Sequence, residues 1–333
     1  MISKKPGLKE IARRCGTTPS TVSRVLAKVN EGFSVRPELR ELIERTAAEI
    51  GYRPNLAAMS LSRRQTGLVA MLGLLEPWGL RRAEVLADAV IAAEEELLRV
   101  GYHLVVLGPE TTRQSGQLPW RTDGMLVINP DTVPCLQDAI ASFPLRVFIN
   151  GPGSGGPSIQ VDDAAGVDLA ISHFASLGHK RVAYRNAAGS WTHQAISDRR
   201  SALPVACAKH GVELVLGADD RSEDAVGFLR KTVVMGRATA VLSFDVYTAM
   251  PLLRAAAELG MAVPRGFSLA TFNEQEICSH TNPPLTTLSL PTREMGVRAA
   301  QALVCLMAGD PVPPELITPI PPRLICREST AIR

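Results

Sequence analysis

The sequence predicts a small all-α head followed by an α/β body whose parallel sheets are divided between two lobes. Three observations predict it. Leu8–Leu26 holds two short amphipathic helical patterns around a glycine. The first 64 of the 333 residues are strongly basic while the remainder is not. From Gly67 onward, short apolar runs alternate with helical stretches.

In the first helical pattern Leu8, Ile11, Ala12 and Cys15 recur at i, i+3, i+4 and i+7, which is one face of a helix. Gly16 relieves the chain where it must reverse. Thr18 is placed to accept a hydrogen bond from the free amides of the next helix, and Pro19 suits its first position. Val22, Val25, Leu26 and Val29 repeat the apolar spacing and can pack on the first helix. That leaves Ser20, Thr21, Ser23, Arg24 and Lys28 toward solvent. The pattern is that of a helix-turn-helix, whose second helix meets a DNA major groove. The alternative for this stretch alone is an ordinary surface helical hairpin.

Residues 34–51 form a third helical pattern, with Ser34 as its cap, Leu39, Leu42, Ile43 and Ile50 on one face, and Gly51 at its end. Pro54 then breaks the chain, and Asn55 can cap a brief helix through Leu61 ahead of Arg63 and Arg64. A helix of two turns is marginal alone in water. This stretch is therefore either a helix that forms on DNA or a partner chain, or a plain linker.

Charge supports a division of labour. Residues 1–64 carry thirteen Lys/Arg against six Asp/Glu, a net +7, and the remainder nets −4, so the total of +3 conceals a basic head on a mildly acidic body. That split suits a phosphate-binding unit joined to one with a different task. The length and the 46% apolar content fit two or three domains. Six cysteines without CxxC or zinc-like spacing read as reduced thiols, so neither metal nor cofactor is expected. No long apolar run follows Lys4 and Lys5 or occurs elsewhere, so the expectation is a cytoplasmic protein with no membrane partner.

In the body, strand-like runs occur at LVAMLGLL, YHLVVLG, GMLVIN, LRVFIN, RVAY, ELVLG, ATAVLSF and FSLATF, interleaved with helical stretches such as AEVLADAVIAAEEELLRVG. This alternation implies parallel sheets covered on both faces, and the strands are too many for one compact sheet. Gly151, Gly153 and Gly156 satisfy G-x-G-x-x-G after a strand, but Pro157–Val161 read as loop and strand rather than helix. No helix N-terminus is then available for a pyrophosphate, and the glycines read as a loop between the lobes. His173, His179, His193, His210 and Asp198 show neither metal nor triad spacing, so no catalytic residue is expected and these read as surface or structural groups.

TTPSTVSRVL followed by GYRPN and a short Ala/Leu-rich segment closely resembles the LacI/GalR family of bacterial transcriptional regulators. The resemblance continues in Val161–Gly166, His173–Tyr184, Asn282–Leu288 and Cys326–Thr330, and so spans nearly the whole chain. It implies a helix-turn-helix DNA-binding domain at 1–53, a hinge helix and linker at 54–65, and a periplasmic-binding-protein-like effector and dimerisation domain at 66–333. By the same analogy lobe one is about 66–160 with 292–321, and lobe two about 161–291 with 322–333. It also implies a homodimer on a near-palindromic double-stranded operator.

Carried over residue by residue, the base-reading positions are Pro19, Ser20 and Arg24, with Arg24 suited to a bidentate contact to guanine. Thr18, Thr21 and Ser23 would hold phosphates, and Asn55, Leu61 and Arg63 would lie at the hinge, with Leu61 as its minor-groove wedge. Pro19 departs from the family in offering no side-chain hydrogen bond. The effector positions fall on Asn150, Arg199, Arg221, Phe244 and Asn273. Amides at two positions where the family can carry acids, together with Arg199 and Arg221, favour a sugar acid or phosphosugar. A neutral sugar or nucleoside stacked on Phe244 is the alternative.

The expected function is a ligand-responsive DNA-binding repressor of carbohydrate genes, and not an enzyme. A solute-binding protein of a transport system is the runner-up, and an enzyme on the same scaffold ranks third.

Overall fold

The computed structural model describes residues 7–26, 33–52, 65–73, 77–108, 121–132, 137–187, 192–215 and 223–333. The chain divides into two compact units, Met1–Thr66 and Gly67–Arg333.

In the first unit, helices α1 (Leu8–Arg14), α2 (Pro19–Leu26) and α3 (Pro37–Glu49) enclose one small core. Ile11, Ala12 and Cys15 of the first helical segment meet Val22 and Val25 of the second and Ile43 and Ala47 of the third. The turn between α1 and α2 depends on Gly16 at φ +62°, a left-handed conformation that costs glycine nothing. Thr18 caps α2 as its position requires, its Oγ1 accepting from Thr21 N at 3.1 Å. The third helix starts later than its apolar pattern suggests. Arg36, not Ser34, is its N-cap, because Pro37 fixes the first helical φ and pushes the residue before it into extended backbone, ψ 140° at Arg36.

The second unit contains two sheets. β1 (Leu68–Leu72), β2 (His103–Val106), β3 (Gly124–Ile128), β4 (Arg146–Ile149) and β5 (Ser158–Ile159) form the first, in the order β2-β1-β3-β4-β5, all parallel. β6 (Arg181–Arg185), β7 (Glu213–Val215), β8 (Ala240–Ser243), β9 (Ser268–Phe272), β10 (Thr286–Ser289) and β11 (Arg323–Ile325) form the second. Its order is β11-β10-β9-β8-β6-β7, and β11 runs antiparallel to β10. Every residue of β3, β8 and β9 is buried, as strands covered on both faces must be.

Among the described residues the layers are α4 (Pro77–Arg99), α5 (Gln137–Ala141), α6 (Asp163–Ser176), α7 (Gln194–His210), α8 (Ala225–Leu229), α9 (Val246–Glu258), α10 (Ile277–His280), α11 (Thr292–Ala308) and α12 (Pro314–Ile317). After β10 the chain returns to the first sheet, where α11 lies on α4 and on Gly124 of β3. The two helices touch backbone to backbone: a Cβ on Gly296 would sit 2.0 Å from the carbonyl oxygen of Ala89. No helix among the described residues is long and apolar enough to cross a membrane.

The Gly151–Gly156 run corrects one expectation. It is a loop joining β4 to β5 inside the first sheet, and the chain crosses to the other lobe after β5. Glycine is needed there for packing: a Cβ on Gly153 would meet Gly156 O and the Phe148 ring, each at 2.8 Å.

Candidate DNA-binding surface and effector cleft

The outer face of α2 carries the residues expected to meet DNA. Thr18, Pro19, Ser20 and Arg24 are exposed, Thr21 and Ser23 are half-buried, and Val22 and Val25 point inward. The Thr18 hydroxyl is committed to the cap and also touches Thr21 Oγ1 at 2.9 Å. The Arg24 guanidinium lies 5.4 Å from the centre of the Phe33 ring, a cation–π contact that limits its freedom. Asn55, Leu61 and Arg63 lie outside the described residues, as does Arg221.

In the body, polar residues gather where the strands of both lobes end. Asn129 after β3, Asn150 after β4 and Asn273 after β9 have φ of 46°, 59° and 68°. Asparagine tolerates this left-handed backbone better than almost any other residue with a side chain. The amides at 150 and 273 therefore have a conformational reason to be there, besides any role in lowering negative charge. Ligands of open parallel sheets bind at this carboxyl end of the strands.

Two lobes meet through these groups. Asn150 Nδ2 donates to Asn129 Oδ1 at 2.8 Å, and His193 from the other lobe approaches the same oxygen at 3.2 Å. His193 is the N-cap of α7, its Nδ1 accepting from Ala195 N at 3.1 Å. With Nδ1 as acceptor the neutral ring carries its proton on Nε2, which donates to Asn129. Burial lowers the His193 pKa and holds the ring neutral. Gln194 N also donates across the cleft, to Asp131 Oδ2 at 2.5 Å.

Several buried polar atoms here have no partner: Asp131 Oδ1, Gln194 Oε1, Tyr184 OH and Asn273 Oδ1. Burial raises the Tyr184 pKa, so its phenol stays protonated. Asn273 also lines a cavity of about 570 Å³ with Asp88, Leu290, Thr292, Arg293 and Arg323, a volume suited to a small ligand.

Arg199, expected from sequence to grip an anionic effector, has its charge already paired. It is 3% exposed, its Nε donates to Asp163 Oδ1 at 2.6 Å, and its Nη1 donates to the carbonyl of Phe244 at 2.7 Å. The guanidinium carbon lies 3.8 Å from the Phe272 ring centre and 4.7 Å from that of Phe244. Its charge is neutralised by Asp163, and it ties α6 to α7 and β8. Phe244, itself 3% exposed, is stacked on Arg199 rather than presented to a ligand.

His193 is a structural group, as expected, and its place is in the cleft. Asn129 and Asp131 were not singled out from sequence, although VINP repeats the strand-end asparagine of FING and marks the same position on the neighbouring strand. The other histidines are structural. His179 bonds Thr239 Oγ1 and Ser268 Oγ, each at 2.9 Å, His173 bonds Thr330 Oγ1 at 3.0 Å, and His210 bonds Asp168 at 2.9 Å.

Residues 7–55 match the lacI family of bacterial regulatory proteins, and residues 171–330 match the periplasmic binding protein-like domain. The chain therefore carries a LacI-family head and a periplasmic-binding-protein-like body. The HTH-type transcriptional regulator CelR of Thermobifida fusca is 28% identical, with 98% of each chain covered. The HTH-type transcriptional regulator AscG of Escherichia coli is 28% identical, covering 96% of this chain and 97% of its own. Among solved structures, the lac repressor dimer bound to operator and an anti-inducer superposes with a TM-score of 0.70 at 21% identity, over 98% of this chain and all of that one. A CelR–cellobiose complex gives 0.63 at 23% identity, over 97% and 99%. These relatives are named as transcriptional regulators, and this chain is similar to them over nearly its whole length.

Proposed function

We propose that this chain is a LacI-family regulator that binds a near-palindromic operator as a homodimer and that a neutral, polyhydroxylated effector in the interlobe cleft controls that binding. Repression of carbohydrate genes is the role this describes, with residues 1–53 as DNA-binding domain, 54–65 as hinge and 66–333 as effector domain. The observation that carries the effector class is that, among the described residues, Asp131 Oδ1, Gln194 Oε1 and Asn273 Oδ1 are buried acceptors without partners, while the charge of Arg199 is already compensated by Asp163. A ligand rich in hydroxyl donors completes such a set of acceptors, whereas the oxygens of a carboxylate or phosphate bring no donor to them. CelR, which was solved with cellobiose, is a relative with a ligand of this class.

On the head, Arg24 reads guanine from the major groove, Pro19 and Ser20 face neighbouring bases, and Thr18, Thr21 and Ser23 orient the helix on phosphates. Asn55, Leu61 and Arg63 act in the hinge. Effector binding changes operator affinity through the relation of the lobes, a coupling free energy between two sites.

Two measurements test this. Gel-shift titration on a palindromic promoter fragment is expected to show steeply salt-dependent binding that weakens roughly ten- to hundredfold in Arg24→Ala, the worth of one bidentate base contact. Unchanged affinity in that variant rejects the assignment of Arg24. Thermal-shift screening is expected to find stabilisation by neutral sugars such as glucose, galactose or cellobiose. Stabilisation by gluconate or a hexose phosphate alone rejects the neutral class.

A further inference from the structure

The end of α7 that faces the cleft is capped from the opposite lobe. Of its first amides, Ala195 N donates within its own lobe to His193 Nδ1 at 3.1 Å. Gln194 N instead donates at 2.5 Å to Asp131 Oδ2, on the turn that follows β3 in the first lobe. The first amides of a helix have no partners within it, and a carboxylate there gains both from the hydrogen bond and from the helix dipole. The second oxygen, Asp131 Oδ1, is buried without a partner. Its position is confined by Gly151, where a Cβ would lie 3.1 Å from Oδ1 and 2.7 Å from Pro130 Cδ. A buried acceptor in this state costs free energy until a donor reaches it.

We propose that Asp131 is the specificity-determining residue that couples effector binding to lobe closure. Its Oδ2 holds the lobes together by capping α7 across the cleft, and its Oδ1 receives a hydroxyl of the effector. The proposal rests on the reading of the cleft as the effector site. The effector completes the latch rather than forming it. His193 supports the same closure through Asn129, and its fixed tautomer keeps that bond a donor from the second lobe to the first. A sugar that lacks a hydroxyl at this point is rejected, because it leaves Oδ1 buried and unpaired.

Hydrogen exchange on the full-length, sugar-free protein tests the latch, comparing wild type with Asp131→Asn and Asp131→Ala. The asparagine oxygen still accepts from Gln194 N, so that variant is expected to exchange like wild type at the start of α7. Asp131→Ala is expected to exchange roughly tenfold faster there, with the sheets unchanged, as the loss of one hydrogen bond to a charged group implies. Equal exchange in Asp131→Ala, or acceleration throughout the body, overturns the latch. The second arm adds whichever of glucose, galactose and cellobiose stabilises wild type. Asp131→Asn is expected to lose that thermal shift, because its second position is now an NH₂ donor, and a retained shift overturns the contact at Oδ1. If none of the three sugars shifts wild type, the neutral-effector reading fails with this contact, while the exchange result still decides the latch.

Discussion

The head and the body both hold polar side chains ready for a ligand, and they do so in opposite ways. In the head the core is apolar and the proposed contacts lie on the outer face of one short helix, with Val22 and Val25 turned inward from the same turns that project Ser20 and Arg24. In the body the proposed polar contacts are inside, on strand ends of one lobe and at the start of α7 in the other, and they are bonded to one another across a cleft. A surface site of the first kind tolerates loss of a side chain with little effect on folding. A site of the second kind shares its groups with the fold, so function and stability cannot be changed separately there.

The largest test of this difference is Arg199→Met. It removes the cation from a buried pair and leaves Asp163, 11% exposed in its side chain, without its partner. Breaking such a pair costs about 3–5 kcal/mol. The body is expected to melt markedly earlier in calorimetry, while the head keeps its own exchange protection and its operator contacts. A variant that folds as well as wild type but fails to bind an anionic sugar restores the clamp reading and breaks the comparison.

The second test inverts the first. Ile11 is fully buried in the head, and Ile11→Ala removes about 2–5 kcal/mol, a large share of what so small a core can supply. Operator binding is expected to disappear in gel shifts, and the thermal transition of the body to stay where it is. A fall in the body's transition of the same size shows that the two units do not fold independently.

This contrast also explains what the sequence made legible. The head was readable in nearly all its parts because each depends on neighbours in sequence: the spacing of Leu8, Ile11, Ala12 and Cys15, the cap at Thr18, the proline at 19. The one error, a helix start at Ser34, came from weighing a capping side chain above Pro37, whose ring settles the backbone by itself. In the body most strands were readable as apolar runs, and the lobes from their number, but β10 and β11, rich in Thr, Ser and Arg, were not among those runs. The cleft was not, because its geometry comes from residues far apart. Arg199 looked like a free cation, since nothing local shows that Asp163 lies 2.6 Å away. His193 looked inert, since its partner Asn129 sits 64 residues earlier. The asparagines at 150 and 273 looked like charge substitutions, and the structure shows backbone in the left-handed region as well.

The smallest effect separates capping from recognition within the head itself. Thr18 Oγ1 accepts from Thr21 N, so Thr18→Ala loses a helix cap, a change of about 1 kcal/mol. Thr18→Ser keeps the hydroxyl and with it the cap. If Thr18 acts mainly by starting α2, serine restores both the melting of the head and the operator affinity, and alanine lowers affinity equally on every DNA sequence. If its methyl also touches the duplex, serine restores stability alone, and the shortfall in affinity remains. Gel shifts on the palindromic fragment and on a scrambled one, at two salt concentrations, distinguish the two. A uniform loss that salt deepens belongs to helix placement on phosphates, whereas a loss confined to the palindrome belongs to base reading. Because α2 has one exposed face and a separate core, this distinction can be made there by a single methyl group, which no substitution at Arg199 or Asp131 would allow.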